Sequence, residues 1–195
     1  MGYTNKRIGT FVLNRSEDRH LTRVLGSFHS DLESFSNNLI KEGFTPRNIT
    51  LEKTILENGI SSKINNRHYI IEGAILKIHR LRYADETLLK DEIKYISLSC
   101  CPKINFLDME ESLNRIYEEK YHLKLGEVQR TMGTTILLPN EQNNYFESEV
   151  PLAVFILDGV IFNENGNIVE IEKSYYRGDK YKFSITTKPT LVSGK

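Results

Sequence analysis

The stretch from Val169 to Phe183 constrains the fold more than any other part of the chain. Apolar and polar residues alternate up to Tyr176, the pattern of a β-strand with one buried face. A tight turn is predicted at Arg177-Gly178-Asp179, after which alternating aromatic residues begin a further strand. The triplet also matches a cell-adhesion tripeptide, but its position between two strands favours the turn. The C-terminal part of the chain is therefore expected to build a β-sheet.

Alternating segments predict more strands upstream, and strands dominate from Lys124 onward. A hairpin is predicted at Asn163–Asn167, because Asn165-Gly166 suits the positive φ angles of a two-residue turn. Short connections between successive strands predict an α+β fold, an antiparallel β-sheet with helices packed on it. The upstream strand segments are 48–57, 69–83 and 90–97.

Apolar residues recur at helical spacing from Leu21 to Leu39, and a break is expected near Ser34–Ser36. Ser34 or Ser36 would cap a helix that runs to about Glu42, and Gly43 would end it. A second helix is predicted within Asp108–Leu123. The polar segment Leu137–Val150 is predicted to be a loop, and the residues after Thr187 are expected to be a frayed tail.

The charge balance bears on the partners of the chain. Its 195 residues suffice for one domain with a full core, and 26 basic residues balance 26 acidic ones. Isolated DNA-binding domains usually carry a positive excess, because neutralising phosphates supplies much of their affinity. The zero net charge therefore disfavours direct DNA binding by this segment.

Signatures of catalysis and of metal binding are absent from the sequence. It has no Gly-rich phosphate loop, no dinucleotide fingerprint, and five histidines without metal-ligand spacing. Cys100 and Cys101 are adjacent and are interpreted as free thiols of a reducing compartment. No signal-peptide pattern is found, and the longest apolar run, Val150–Leu157, is too short to span a bilayer. We expect a cytoplasmic protein with no metal, cofactor or membrane partner.

Two features could bind an anion. Arg80 and Arg82 lie two apart on a predicted strand, so they share one face with Leu76 and Ile78. Their partners could be internal carboxylates or a ligand phosphate or carboxylate, and the pattern does not decide between them. The second feature is Phe35-Ser36-Asn37, where a helix start would either offer free backbone N–H groups or simply be capped.

Several motifs together resemble a known family. Tyr176–Phe183 and the strand Ile78–Asp85 carry the strongest likeness, and Leu32–Ser36 followed by Gly43-Phe44-Thr45-Pro46 adds to it. The chain resembles the effector-binding (UTRA) domain of GntR-type bacterial transcription regulators of the HutC subfamily. The resemblance implies a chorismate-lyase-like fold. Gly9-Thr10-Phe11-Val12 is similar to the end of the family's winged helix-turn-helix domain.

The resemblance also implies a domain organisation. Residues 1–20 would be a residual linker from a missing N-terminal winged helix-turn-helix domain, residues 21–187 the UTRA domain, and residues 188–195 a tail. DNA would be bound only through the missing domain. The family's two-fold docking implies a homodimer.

By the same resemblance, Phe35, Ser36 and Asn37 at the helix start and the strand residues Arg80 and Arg82 would bind the anion of an effector. The neutral part of the effector would contact a second set of residues, which are Glu92, Ser112, Glu170 and Tyr176. Asn114 stands where the family has a tyrosine. An amino-sugar phosphate is therefore one candidate among phosphorylated sugars and other small anions.

Three hypotheses follow from the sequence. The first is a small-molecule sensor that controls DNA binding allosterically. The second is a chorismate-lyase-like enzyme acting on a small carboxylate. The third is an interaction domain whose arginines are structural. The linker-like segment Gly9-Thr10-Phe11-Val12, for which an enzyme has no use, favours the first over the second, and we expect no catalytic residue.

Overall fold

A six-stranded antiparallel sheet forms the body of the domain in the computed structural model, which describes residues 20–25, 34–109, 112–142 and 144–185. The sheet order is β2-β5-β6-β9-β8-β7, so the predicted α+β class with an antiparallel sheet is confirmed. The elements are β1 (Leu21–Leu25), α1 (Phe35–Lys41), β2 (Pro46–Leu56), β3 (Ile60–Ile64), β4 (Arg67–Ile71), β5 (Ile75–Ala84), β6 (Thr87–Ser97), a 3₁₀ turn (Ile104–Phe106), α2 (Leu113–Tyr121), β7 (Leu125–Leu137), β8 (Leu152–Asn163), β9 (Ile168–Arg177) and β10 (Tyr181–Ile185).

The two faces of the sheet are covered differently. On the face that we call the helical face, α2 packs through Ile116 and Tyr117 onto Ile78 and other apolar residues of the sheet. Helix α1 packs on the same face through Phe35 and Leu39. On the opposite face, the β3–β4 hairpin and the loop 138–151 each cover one end of the sheet. Since strand residues alternate between faces, every second residue of β5, β6 and β9 is directed toward the helices.

Helix α1 begins where the sequence predicts. The Ser34 hydroxyl accepts a hydrogen bond from the backbone N–H of Asn37 at 3.1 Å, which satisfies one of the free donors of the first turn. Gly43 follows the helix with φ of +80°, a conformation that glycine adopts without strain. Helix α2 is shorter than the predicted segment 108–123, because the backbone is extended at its N-cap Ser112 and left-handed at its C-cap His122, with φ of +50°.

The helical prediction for the start of the apolar stripe is wrong. Leu21–Leu25 is a β-strand that pairs in parallel with β10. Burial follows a two-residue period there, with Leu21 and Arg23 buried and Val24 46% exposed. The rest of the stripe before Ser34 lies outside the described residues. So do Gly9–Val12 and the predicted tail.

Other strand predictions need smaller corrections. The predicted strand over residues 69–83 is two strands, β4 and β5, separated at Gly73 with φ of +73°. The hairpin at Asn163–Asn167 is confirmed, but its turn is longer than two residues. Only Gly166 has a positive φ in the turn itself, and the Asn163 side chain accepts hydrogen bonds from the N–H groups of Asn165 and Asn167. The turn at Arg177–Asp179 is also confirmed, and β10 leaves it to pair with β1.

Candidate functional site

A small cavity of about 40 Å³ lies on the helical face, between the sheet and the beginnings of α1 and α2. Its lining is dominated by charged side chains, which come from four strands of the main sheet and from β1. The basic residues are Arg23, Arg80, Arg82, Lys90, Lys94 and Arg130, and the acidic residues are Glu92 and Glu172. The remaining lining residues are Ser34, Phe35, Ser112, Leu113, Asn114 and Ile161.

Glu92 lies at the centre of the basic residues. Its Oε2 accepts hydrogen bonds from Nε and Nη2 of Arg80, at 3.0 and 2.5 Å, and from Nη1 of Arg82 at 3.1 Å. Its Oε1 accepts from the Lys90 ammonium group. Glu92, Arg80 and Lys90 are each 2% exposed, so these interactions are screened little by water.

Both guanidinium groups also reach the segments that precede or begin the helices. Arg80 Nη1 donates to the carbonyl of Met109 at 2.6 Å, a few residues before α2. Arg82 Nη2 donates to the Ser36 hydroxyl in the first turn of α1 at 3.0 Å. The Arg82 guanidinium carbon lies 5.0 Å from the centre of the Phe35 ring, within cation–π range. The position of α1 is therefore tied to the charges of the cavity.

A second group of ion pairs continues across β6 and β9. Glu172 accepts from Lys90 at 2.8 Å and lies 3.6 Å from Lys94. Lys94 donates to Glu170 at 2.5 Å, and Glu170 also accepts from the Tyr117 hydroxyl of α2 at 2.6 Å. Each of Glu92, Glu170 and Glu172 is therefore paired with at least one lysine.

The electrostatic environment distinguishes the two arginines. Burial lowers the pKa of each guanidinium and the Glu92 carboxylate raises it. Glu92 prevails for Arg80, whose pKa is raised. It does not prevail for Arg82, whose pKa is lowered by burial and by the neighbouring Arg80. Arg82 is thus the less completely compensated charge, and its buried Nε finds no hydrogen-bond partner among the described residues.

The pKa values of the two carboxylates that line the cavity, Glu92 and Glu172, are lowered. Burial would raise the pKa of Glu92, but Lys90, Arg80 and Arg82 outweigh it and hold that pKa well below its usual range. Burial would likewise raise the pKa of Glu172, but Lys90 and Lys94 outweigh burial and lower that pKa. Both groups are therefore ionised at neutral pH.

The structure brings together most of the predicted site residues. Phe35, Arg80, Arg82, Glu92 and Ser112 line the cavity, and Ser36 is bonded to Arg82. Ser112 is the N-cap of α2, and its side chain makes no capping hydrogen bond.

The other predicted residues occupy different positions. Asn37 is exposed, and its backbone N–H is used by Ser34. Glu170 and Tyr176 are fully buried beneath the cavity, where Tyr176 accepts a hydrogen bond from Arg23 at 3.0 Å. Glu92 lies among cations, which differs from its predicted place at a neutral end of the site.

Sequence reasoning missed several residues of the cavity. Lys90 and Lys94 lie two residues from Glu92 on the same strand, so strand alternation could have predicted that their side chains share its face of the sheet. Arg23 and Arg130 gave no such signal, because β1 and β7 reach the cavity only through pairing with strands that are distant in sequence.

A larger open trough of about 620 Å³ lies on the opposite face of the sheet. Here His79 is bonded to Asp91 at 2.6 Å and contacts the Tyr145 ring edge-to-face. Within the described ranges, no helix is long and apolar enough to cross a membrane. Among the same residues, no group of three or more His, Cys, Asp or Glu side chains is placed to hold a metal ion.

An antiparallel sheet with two helices over a buried charged cavity defines the class, an α+β domain. Residues 60–182 match the model of the UTRA domain family, which is more than half of the chain, and the chain belongs to that family. The chorismate-lyase-like fold implied by the resemblance is confirmed with it.

Solved structures agree on the fold. PhnF from Mycobacterium smegmatis matches with a TM-score of 0.70 at 16% identity, covering 88% of this chain and 73% of PhnF. The separate effector domain of the same protein matches with a TM-score of 0.67 at 16% identity over 86% of this chain and 99% of that domain. A GntR-family transcriptional regulator from Enterococcus faecalis V583 matches with a TM-score of 0.59 at 20% identity, over 72% and 100% of the two chains.

Proposed function

We propose that this chain is the effector-sensing domain of a cytoplasmic GntR-type transcription regulator of the HutC subfamily, and that its effector is a small anion such as a phosphorylated sugar. The observation that carries the proposal is the arrangement around Arg82. A buried guanidinium group with incomplete charge compensation lies in a cavity and is bonded to the first turn of a helix. Arg forks bind phosphate and carboxylate groups bidentately, and such an anion would supply the missing compensation.

The side chains, rather than the helix start, provide most of the affinity in this proposal. Helix α1 has only seven residues, so its dipole is small, and the backbone N–H of Asn37 is already bonded to Ser34. In this proposal Phe35 and Ser36 act on the effector mainly through Arg82, because both residues contact its guanidinium group and hold it in place. Ser112 would donate its hydroxyl from the N-cap of α2. Glu170 and Tyr176, both buried, would support the floor of the site.

Control of DNA binding would follow from the same contacts. An anion that binds Arg82 competes with Glu92 and Ser36 for its donors, and a change at Ser36 shifts α1. A ligand can shift a conformational equilibrium only by its differential affinity for the two states. In our proposal residues 21–187 form the sensing domain, residues 1–20 are linker, DNA is bound by a separate winged helix-turn-helix domain, and the sensing domain is a homodimer.

The proposal is tested by calorimetric titration of the chain with phosphorylated sugars and with the same sugars lacking phosphate. We expect binding of phosphorylated forms only. Arg82→Gln should weaken that binding by roughly ten- to a hundredfold, because a buried charge-assisted hydrogen bond contributes about 1.5–3 kcal/mol. Arg115→Gln is the matched control, since Arg115 lies on the outer surface of α2 with its side chain 62% exposed. Unchanged affinity in Arg82→Gln, or equal binding of unphosphorylated sugars, would contradict the proposal.

A further inference from the structure

Strand β7 forms one edge of the main sheet. Among the described residues it pairs only with β8, so one side of its backbone is directed away from the sheet. Residues 131–140 contain no charged side chain. Four large apolar side chains at this edge are exposed, Met132 by 38%, Ile136 by 63%, Leu138 by 56% and Val150 by 64%. A long apolar edge strand is a template for pairing with another strand, and native proteins cover or blunt such edges.

The other edge of the sheet, β2, is protected by charge and by an irregularity. It also exposes apolar side chains, but Arg47, Glu52 and Lys53 interrupt them. A β-bulge between Thr50 and Glu52 breaks the regular spacing of its outer backbone groups. Over residues 131–137, β7 has no charge and its register with β8 is unbroken. Of the two edges, β7 is therefore the regular, uncharged template.

The exposed apolar side chains of β7 lie on the helical face. Arg130 lines the cavity on that face, and its side chain lies across Gly159 of β8, where a Cβ atom would be 3.6 Å from Cγ of Arg130. Since strand residues alternate between faces, Met132, Thr134 and Ile136 are directed to the same face as Arg130. The exposed edge and the wall of the cavity are therefore adjacent parts of one strand.

We infer that β7 pairs with β7 of a second copy of this chain, antiparallel and about a two-fold axis at Thr134. In this register Met132 lies opposite Ile136 of the second copy, and the two Thr134 side chains lie opposite each other. Apolar pairs and threonine pairs across antiparallel strands are favourable. Pro139, which has no backbone N–H, ends the pairing at one side. This inference rests on the proposed homodimer and names its interface.

The chemistry of the edge favours a second copy over other partners. An uncharged strand attracts neither a basic nor an acidic segment, whereas β7 of a second copy presents the same apolar and threonine side chains. Pairing of β7 with itself is closed, because it uses the β7 edge of both copies. Pairing of β7 with β2 would leave one edge of each kind open and continue into a filament, and the charges and the bulge of β2 oppose it.

The first test is Thr134→Lys in the full chain, followed by sedimentation velocity over a range of concentrations. Thr134 is exposed, so the substitution does not enter the core. Two ammonium groups would meet at the two-fold axis, so the dissociation constant of the dimer should rise about a hundredfold or more. Leu51→Lys is the matched control, because it places the same charge on the β2 edge, where Leu51 is 43% exposed. It should leave the dissociation constant within about twofold.

A second measurement reports the register and does not depend on a loss of assembly. Thr134→Cys should crosslink two copies under mild oxidation, because opposed residues of an antiparallel pair have Cβ atoms about 4.5–5.5 Å apart. Met132→Cys should not, since its two copies would lie four residues apart along the strands, or about 14 Å. The unmodified protein is the blank, in which Cys100 is half-buried and Cys101 is buried.

A dimer that persists in Thr134→Lys would overturn the inference and leave the homodimer standing. An equal weakening in Leu51→Lys would also overturn it, as would crosslinking through Met132→Cys that equals or exceeds crosslinking through Thr134→Cys. A monomer alone in the unmodified protein would overturn both the inference and the proposed assembly. The effector titration with Arg82→Gln would still decide the sensor proposal, because it does not require a dimer.

Discussion

Replacing Glu92 by glutamine removes the carboxylate that lies among Arg80, Arg82 and Lys90. Glu92 accepts four hydrogen bonds from these three cations. A charge-assisted hydrogen bond is worth about 1 kcal/mol more than a neutral one, which gives a loss of about 4 kcal/mol in the free energy of unfolding. The value agrees with the range of about 3–5 kcal/mol for breaking a buried ion pair from one side.

The loss has a second signature, which is its dependence on added anion. In Glu92→Gln the two guanidinium groups lose their carboxylate partner and Lys90 keeps only Glu172, so phosphate should bind more tightly than it does to the unmodified protein. Ligand at a hundred times its dissociation constant stabilises a fold by about 2.7 kcal/mol. We therefore expect phosphate to restore a large part of the lost stability in the variant and to have a smaller effect on the unmodified protein.

The measurement is urea unfolding followed by far-UV circular dichroism, in chloride and in phosphate at equal ionic strength. Glu119→Gln is the control, because Glu119 forms only an exposed ion pair with Arg115 on α2 and its loss should leave stability essentially unchanged. Glu92→Asp keeps the charge at shorter reach and should be intermediate. A loss below about 1 kcal/mol in Glu92→Gln, or equal stabilisation of both proteins by phosphate, would refute the reasoning.

Two further predictions concern alkaline stability and assembly. Burial raises the pKa of the Tyr176 hydroxyl well above its usual value, against the influence of Arg23. The folded state therefore stays protonated above pH 10 while the unfolded state ionises. This contribution to stability is complete below about pH 10 and then falls by about 1.4 kcal/mol per pH unit as pH rises. Tyr176→Phe should make the decline between roughly pH 10 and 11.5 shallower by that amount, as measured by urea unfolding, and an unchanged slope would argue against a buried neutral hydroxyl. Sedimentation at tens of micromolar is expected to show a dimer, as closed two-fold symmetry is the commonest arrangement, and a monomer alone would exclude the proposed assembly.

The parts of the fold that the sequence predicted depend on short-range rules. Alternation on one strand placed Arg80 and Arg82 on the same face, because the two-residue period of a strand does not vary. Ser34 and Gly43 marked the ends of α1, because caps act within one turn. These features need no knowledge of the rest of the chain.

The parts that it did not predict depend on pairing between distant segments. Leu21–Leu25 has apolar spacing that suits a helix, but pairing with β10, about 160 residues away, makes it a strand. Glu92 meets Arg80 only through the register of β5 and β6, and Arg130 meets the cavity only through β8 and Gly159. Composition and local pattern do not encode such registers, so the charge balance of the cavity emerged only from the structure.

The pairing of β1 with β10 connects the site to the chain that precedes it. Among the described residues, β1 is the first element, and its central residue Arg23 both lines the cavity and donates to Tyr176. In the proposed sensor, a displacement of the preceding segment along β1 would move a wall of the cavity, and a ligand that repositions Arg23 would move β1. Linkage between two sites is reciprocal. If a ligand in the cavity changes the affinity with which the preceding segment is held in one place, then holding that segment changes the affinity of the cavity for the ligand by the same factor. In the proposed sensor, this short parallel strand would couple the cavity to the segment that precedes it.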